Sequence, residues 1–316
     1  MKKILIISLL LFSCALAAFV SCKKNRGVEE FSNSTEQMLA ELDSYNSNMF
    51  EKRKMDRLYD YHTNLFSQEI TKADGKVIVG VAFADGKFGW KGWKYGSKAG
   101  AIAGPHSAVV VGSLSALLAG MVASLVAYDN LNGGELSSNV LPSLTPHDLI
   151  AVRDVCKEEK RSSRIEKQVE DVKKTINMPE EFSYTLEIGE MHNAMAEMIM
   201  DESFAIPQII KKTSVEEENY ISSPQFISLF NEAKTQADCS LDCIDGIDSV
   251  LLEQVINMFC EAYSTCYESV PDVDDIINNY INTIEGHNAL TYEEKQTVYA
   301  GLSVIAFSSR YWYSND

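Results

Sequence analysis

The chain has 316 residues, 46% of them apolar, and a net charge of −17. That apolar content suffices for a sizeable core in one large or two modest domains. The acidity argues against nucleic acid as a partner and against general attraction to anionic lipid.

Residues 1–21 read as an export leader rather than as part of the fold. Lys2 and Lys3 precede the uncharged run "ILIISLLLFSCALAAFV", which is short for a membrane anchor. The run ends in "FVSC" followed by "KKNR", which resembles a bacterial lipobox with Cys22 as the lipidated first residue, although Phe19 stands where Leu is usual. "LFSC" at Cys14 fits the letters but leaves an apolar tail, and "ALA" at 15–17 permits ordinary cleavage. Glu29 and Glu30 follow Cys22 too late to read as a surface-export signal, so the expected location is the periplasmic side of the outer membrane.

Residues 22–34 form a polar tether. Residues 35–72 read as two helices: one entered through the capping box "STEQ" at 34–37 and running to about Phe50, the next over 51–70. Composition then changes, and ten of the seventeen glycines fall between Gly75 and Gly120. The run "KVIVGVAF" at 76–83 is the one stretch with strand character.

Small residues recur at every fourth position: Gly92, Gly96, Gly100, Gly104, Ala108, Gly112, Ala116, Gly120 and Ser124. Glycine inside a helix costs about 1 kcal/mol against alanine. Its repetition implies a return, which close approach of two helix backbones supplies. Each four-residue step also turns the row by about 40°, so one straight helix cannot serve one flat partner throughout. Pro105 interrupts the row. The expectation is two helices, about 77–103 and 107–128, packed on each other within a segment spanning 73–130.

The surroundings of that pair stay open. Ala108–Ala127 is uncharged and long enough to cross a bilayer, but holds only nine Leu or Val among small residues. Asp85, Lys87, Lys91, Lys94 and Lys98 interrupt the first helix, and Trp90, Trp93 and Tyr95 beside the lysines resemble an interfacial belt. A buried hairpin in an α-helical protein and a hairpin in contact with lipid both satisfy the pattern.

Turn-rich "NLNGGELSSN" marks a boundary, and 135–316 reads as an acidic helical domain, so the fold class is mostly all-α. "TPHD" at 145–148 offers Thr145 as N-cap and Pro146 at the first helical position. Lys157 to Lys174 reads as one exposed charged helix. Ser183–Asp201 places Ile188, Met191, Met195 and Met198 on one face. Ser223-Pro224 opens another helix, Ile247–Tyr267 and Val273–Ile284 follow, and "TYEE" at 291–294 caps a last one reaching about Trp312.

Cys239, Cys243, Cys260 and Cys266 suit two disulfide rungs on an antiparallel helix pair in an oxidising compartment. Their connectivity is not fixed by spacing, and zinc is the rival. Cys156 is then left over. The chain contains no GxSxG, Walker A, GxGxxG or HExxH pattern, and neither a cofactor nor a metal ligand set is expected. Two short stretches echo each other, "IGEMHNAM" and "IEGHNALT". Gly189 offers close packing with His192 and Asn193 bonding across to a neighbour, while His287 and Asn288 end a helix with Gly286 as C′ residue.

"FSYTLEIGEMHNAMAEMI", "AFADGKFGWKGWKYGSKAGAIAGP" and "GLSVIAFSSRYW" together resemble segments of a group of exported Bacteroidetes lipoproteins. Tyr184, Gly189, His192 and Asn193 match the first motif, Asp85 the second, and Ser309, Tyr311 and Trp312 the third. The resemblance implies an envelope protein with a helical glycine-rich block and no particular chemistry. Three roles fit. The first is a non-enzymatic lipoprotein that binds an unidentified protein partner or organises membrane. The second is a bacteriocin-like, pore-forming protein inserting 77–128. The third is a metal-dependent hydrolase using His192 or His287.

Overall fold

The computed structural model describes residues 33–55, 73–131, 141, 143–201, 213–237, 249–266 and 269–313. Among them are eleven α-helices and no strand, so the fold is mostly all-α. In chain order they are α1 (33–55), α2 (Ala73–Gly100), α3 (Pro105–Leu131), α4 (Pro146–Glu158), α5 (Ser163–Thr175), α6 (Leu186–Met200), α7 (Val215–Ile221), α8 (Pro224–Gln236), α9 (Val250–Cys266), α10 (Val270–Gly286) and α11 (Tyr292–Tyr313). Cys22, Cys239 and Cys243, the tether and residues 56–72 lie outside the described residues, apart from the last two tether positions.

Local chemistry starts several helices where the sequence places them. Thr145 accepts from the Asp148 backbone N–H while Asp148 accepts from the Thr145 backbone, a complete capping box ahead of Pro146. Ser223 caps α8 through the Phe226 N–H, again before a proline. Thr291 and Glu294 cap α11 reciprocally.

Several boundaries differ from expectation. Helix α1 already includes Asn33, so Ser34 lies inside it, and it continues to residue 55 without a break near Phe50. The β-flavoured run at 76–83 is part of α2. The charged stretch 157–174 is two helices, because Ser162 caps a new start through the Ile165 N–H. The second of them buries Ile165, Gln168 and Val172, so it is amphipathic rather than freely exposed.

Helix α2 lies between α3 on one side and α11 on the other. The chain reverses at Gly104, whose φ of 120° suits glycine alone, and Pro105 begins α3. From that turn the two helices pair in matched steps. A Cβ on Gly100 would meet the Ser107 carbonyl at 2.3 Å, one on Gly96 the Val111 carbonyl at 2.5 Å, and one on Gly92 the Ser115 carbonyl at 2.5 Å. Backbone touches backbone at all three positions. Gly112 faces Ser97 and Trp93, and Gly120 faces the Asp85 carbonyl at 3.1 Å. Gly104 meets nothing within 4 Å, so it serves the turn and not the packing.

On its opposite side α2 presents Gly86 to Ile305 and Gly89 to Val304, while Gly301 of α11 receives the Trp90 indole. The α2–α11 pair divides two apolar clusters. One gathers α3, α4, α6, α7 and α8 around residues such as Phe88, Leu118, Val122 and Phe226. The other gathers α1, α9, α10 and α11 around Trp90, Phe259, Tyr263 and Tyr280.

The aromatic belt is overturned. Trp90 and Trp93 are both 0% exposed; Trp90 donates to the Val298 carbonyl at 2.9 Å, and Trp93 packs against Tyr184. Lys91 is buried beside them and pairs with Glu232 at 2.7 Å, so the aromatic–lysine alternation here lines a protein core. Helix α3 has the length and mean hydropathy, 2.2, of a membrane span, and 83% of its apolar window is buried within the protein.

Candidate functional site

Asp85, His192 and Trp312, from the three segments singled out in the sequence, meet at one place, where α2, α3, α6 and α11 come together. Asp85 stands alone in an apolar stretch of α2 and is 0% exposed. Its Oδ2 accepts from Ser124 of α3 at 3.1 Å and from Ser308 of α11. His192 of α6, also 0% exposed, brings Nε2 to 3.6 Å from the same oxygen, beyond hydrogen-bond length. The Trp312 indole approaches this carboxyl as well, without reaching hydrogen-bonding geometry.

Gly189 explains how α6 comes so close. A Cβ there would lie 2.5 Å from the Phe307 ring and 2.6 Å from the Ser303 carbonyl. The absent side chain lets α6 settle on α11, which sets His192 and Asn193 into the interior. Asn193 Nδ2 donates to Gln168 Oε1 and to the Phe307 carbonyl, both at 2.8 Å. The carbonyl can only accept, so the amide orientation is fixed and Asn193 Oδ1 faces His192 Nδ1 at 3.3 Å. That assigns the imidazole proton to Nδ1 and leaves Nε2 as an acceptor turned toward Asp85.

Burial sets the charge states. Desolvation raises the Asp85 carboxyl to about 8, and hydrogen bonds from Ser308 and Ser124 offset only part of the rise. Desolvation lowers His192 to about 4, against smaller opposing contributions from Asn193 and the Gly120 backbone. At neutral pH the pair is a neutral acid beside a neutral imidazole. Asp85 Oδ1 and His192 Nε2 have no hydrogen-bond partner.

The second echo goes elsewhere. His287 follows the last residue of α10 with an extended backbone, φ −126°, and its Nε2 lies 3.2 Å from Glu41 of α1. Gly286 is the final helical residue with an ordinary φ, so it is not a left-handed C′ glycine. Asn288 follows in the short connection to α11, and this pair does not join His192 and Asn193. Among the described residues no group of three or more His, Cys, Asp or Glu side chains is placed to share a metal.

The C-terminal matches spread around the cluster. Ser309 lies 3.3 Å from the Tyr263 hydroxyl, Arg164 stacks over the Tyr311 ring, and Trp312 stacks on Tyr128 at 4.7 Å. Cys260 is buried on α9, and Cys266 is the last residue of that helix. Cys156 is buried with its thiol 3.8 Å from the Met198 sulfur; burial pushes it up to about 12, so it is an inert thiol at neutral pH. An open surface groove of about 540 Å³ follows the outer side of α9 and includes none of the cluster residues.

The sequence drew attention to His192 and Asn193 but not to Ser124, Ser308 or Gln168. Ser124 was visible only as a small residue in the four-step row. The isolation of Asp85 in an otherwise apolar run was the one available signal for a buried acid.

Comparison with protein-family models, curated proteins and solved structures gives no match to this chain. The all-α fold and the closed polar centre therefore stand as the defining features.

Proposed function

We propose that this chain is a lipid-anchored protein of the bacterial cell envelope whose folded body acts by binding or by organising membrane rather than by catalysis. The leader and the lipobox-like "FVSC" ending at Cys22 support the anchor, and the likeness to exported Bacteroidetes lipoproteins points the same way. The observation that carries the non-enzymatic reading is the closure of the polar centre. Asp85, Ser124, His192, Asn193 and Ser308 are each 0% exposed, so the groups most suited to chemistry are enclosed by protein. They join four helices, a role that needs no substrate.

The test is the intact mass of the protein isolated from native membranes. The expected species begins at Cys22 and carries acyl chains on it. An unmodified chain beginning near residue 18 refutes the anchor.

A second reading has one observation in its favour. Helix α3 is apolar enough to cross a bilayer, so a bacteriocin-like protein could release 77–128 into lipid. Release of trapped dye from protein-free liposomes at neutral pH would support it. The third reading, a metal-dependent hydrolase, predicts stoichiometric metal in the purified protein and an activity lost in His192→Ala.

A further inference from the structure

Among the described residues, the turn end of the α2–α3 pair projects beyond the helices that enclose the rest of it. Contacts along α11 fix the geometry: Ser308 meets Asp85, Ile305 meets Gly86, and Val298 meets Trp90. Helix α2 therefore runs antiparallel to α11 and passes its beginning near Lys94. From there to Ala103 the chain continues for about 14 Å, and α3 returns beside it. On the other side α7 ends near Ser115 through Tyr220, and α8 proceeds from there away from the turn, toward Asn130.

This end is apolar, and its own stretch of chain carries no acid. Ala101, Ile102, Ala103 and Pro105 are exposed, Ile102 at 92%. No Asp or Glu occurs between Asp85 and Asp129, while Lys94 and Lys98 stand below the turn. In a chain of net charge −17 this is a local reversal of sign.

The start of α1 lies toward the same end. Helix α1 runs antiparallel to α10, with Glu41 beside His287, Asn46 beside Tyr280 and Arg53 beside Asp272. Helix α1 thus begins where α10 ends and α11 starts. Ten residues separate Cys22 from Asn33, a span of at most about 40 Å. A lipid on Cys22 would hold the membrane near the projecting turn.

We propose that this turn, residues 94–110, is a contact site for an anionic phospholipid surface. Ile102 with Ala101, Ala103 and Pro105 enters the boundary between headgroups and acyl chains, and Lys94 and Lys98 meet the lipid phosphates. The remainder of α2 and α3 stays inside the protein. The choice of which end faces the membrane rests on the anchor proposed above; the exposed apolar turn and its lysines do not.

The experiment uses residues 22–316 with Cys22→Ser, which retains every described residue and carries no acyl chain. Its binding to vesicles of phosphatidylcholine alone is compared with an equimolar mixture containing phosphatidylglycerol. The expected result is sedimentation with the mixed vesicles, weakened by salt and lowered at least about tenfold by Ile102→Asp. Lys98→Glu should lower binding to the mixed vesicles alone. Both side chains are exposed, so the variants should keep the wild-type melting temperature. Three results overturn the inference: binding unchanged in Ile102→Asp, no binding to either vesicle, or dye release showing that the pair inserts. A dimer abolished by Ile102→Asp, with no vesicle binding, assigns the turn to a second copy instead. The anchor is judged separately by the mass at Cys22: an acylated chain whose turn ignores vesicles refutes this inference alone, and an unacylated chain that binds them refutes the anchor alone.

Discussion

Replacing Asp85 by Asn should change how stability depends on pH, not merely its level. In the folded protein the carboxyl titrates near 8 against 3.8 for an ordinary aspartate, and His192 near 4 against 6.5. Between about pH 4 and 6.5 the folded state keeps a proton on Asp85 that the unfolded chain gives up. Over the same range it lacks a proton on His192 that the unfolded chain takes up. The first difference makes stability fall as pH rises, the second makes it rise, and the two cancel. Above pH 6.5 the imidazole is neutral in both states and Asp85 acts alone. Stability then falls by about 1.4 kcal/mol per pH unit, roughly 2 kcal/mol by pH 8. Asparagine resembles the protonated acid in shape and cannot ionise, so Asp85→Asn should lose this slope. Urea unfolding of both proteins from pH 6.5 to 8.5 measures it. Groups outside the cluster titrate in both and drop out of the difference. Parallel profiles would mean that Asp85 is ionised in the folded protein and would refute the assignment of a neutral pair.

The glycine contacts invite a test of sign. Gly96→Ala improves helix propensity by about 1 kcal/mol, yet its Cβ would strike the Val111 carbonyl at 2.5 Å, so a net loss of about 1–3 kcal/mol is expected from thermal or urea unfolding. Gly286→Ala, with nothing within 4 Å and an ordinary φ, should be neutral or stabilising in the same assay. Asn193→Ala strands the Gln168 side-chain oxygen and the His192 N–H together, and a loss of at least about 2 kcal/mol follows from unpaired buried groups; a loss below about 1 kcal/mol would show that the network is not closed. Thr145→Ala removes one cap and should cost about 1 kcal/mol, with hydrogen exchange rising first at the start of α4.

What the sequence disclosed was mostly what short-range chemistry controls. Thr145-Pro146, Ser223-Pro224 and Thr291 with Glu294 are local hydrogen-bonding patterns, and they start helices as read. The four-step row and Pro105 pointed to two helices meeting backbone to backbone, because removal of side chains at helical spacing has few other uses. Ser162 was hidden by the lysines and glutamates around it, which read as one continuous helix although the cap divides it. The aromatic residues near Lys91 were ambiguous for a different reason. Lysines beside tryptophans suit a bilayer surface and a core equally until the acid is found, and Glu232 lies 141 residues away. The Asp85–His192 cluster posed the same difficulty more severely. Its members come from four helices with no shared period, so each residue looked structural by itself. Gly189 carried a clue about packing, but not about which helix it would meet.

The turn at Gly104 also has a consequence for the order of assembly. Contacts between α2 and α3 close over short loops that begin at the turn and lengthen in regular steps, so little chain entropy opposes them. The union of α2 with α11 closes a loop of more than two hundred residues, from Asp85 to Ser308. A chain emerging N-terminus first can therefore pair its central helices long before the last one exists. Until α11 arrives, one side of α2 stays uncovered, Gly86 and Gly89 have nothing to touch, and the Asp85 carboxyl remains in water as an anion. Taking up a proton is then among the closing events of folding, and truncation before Ser308 should leave a helical but unlocked species.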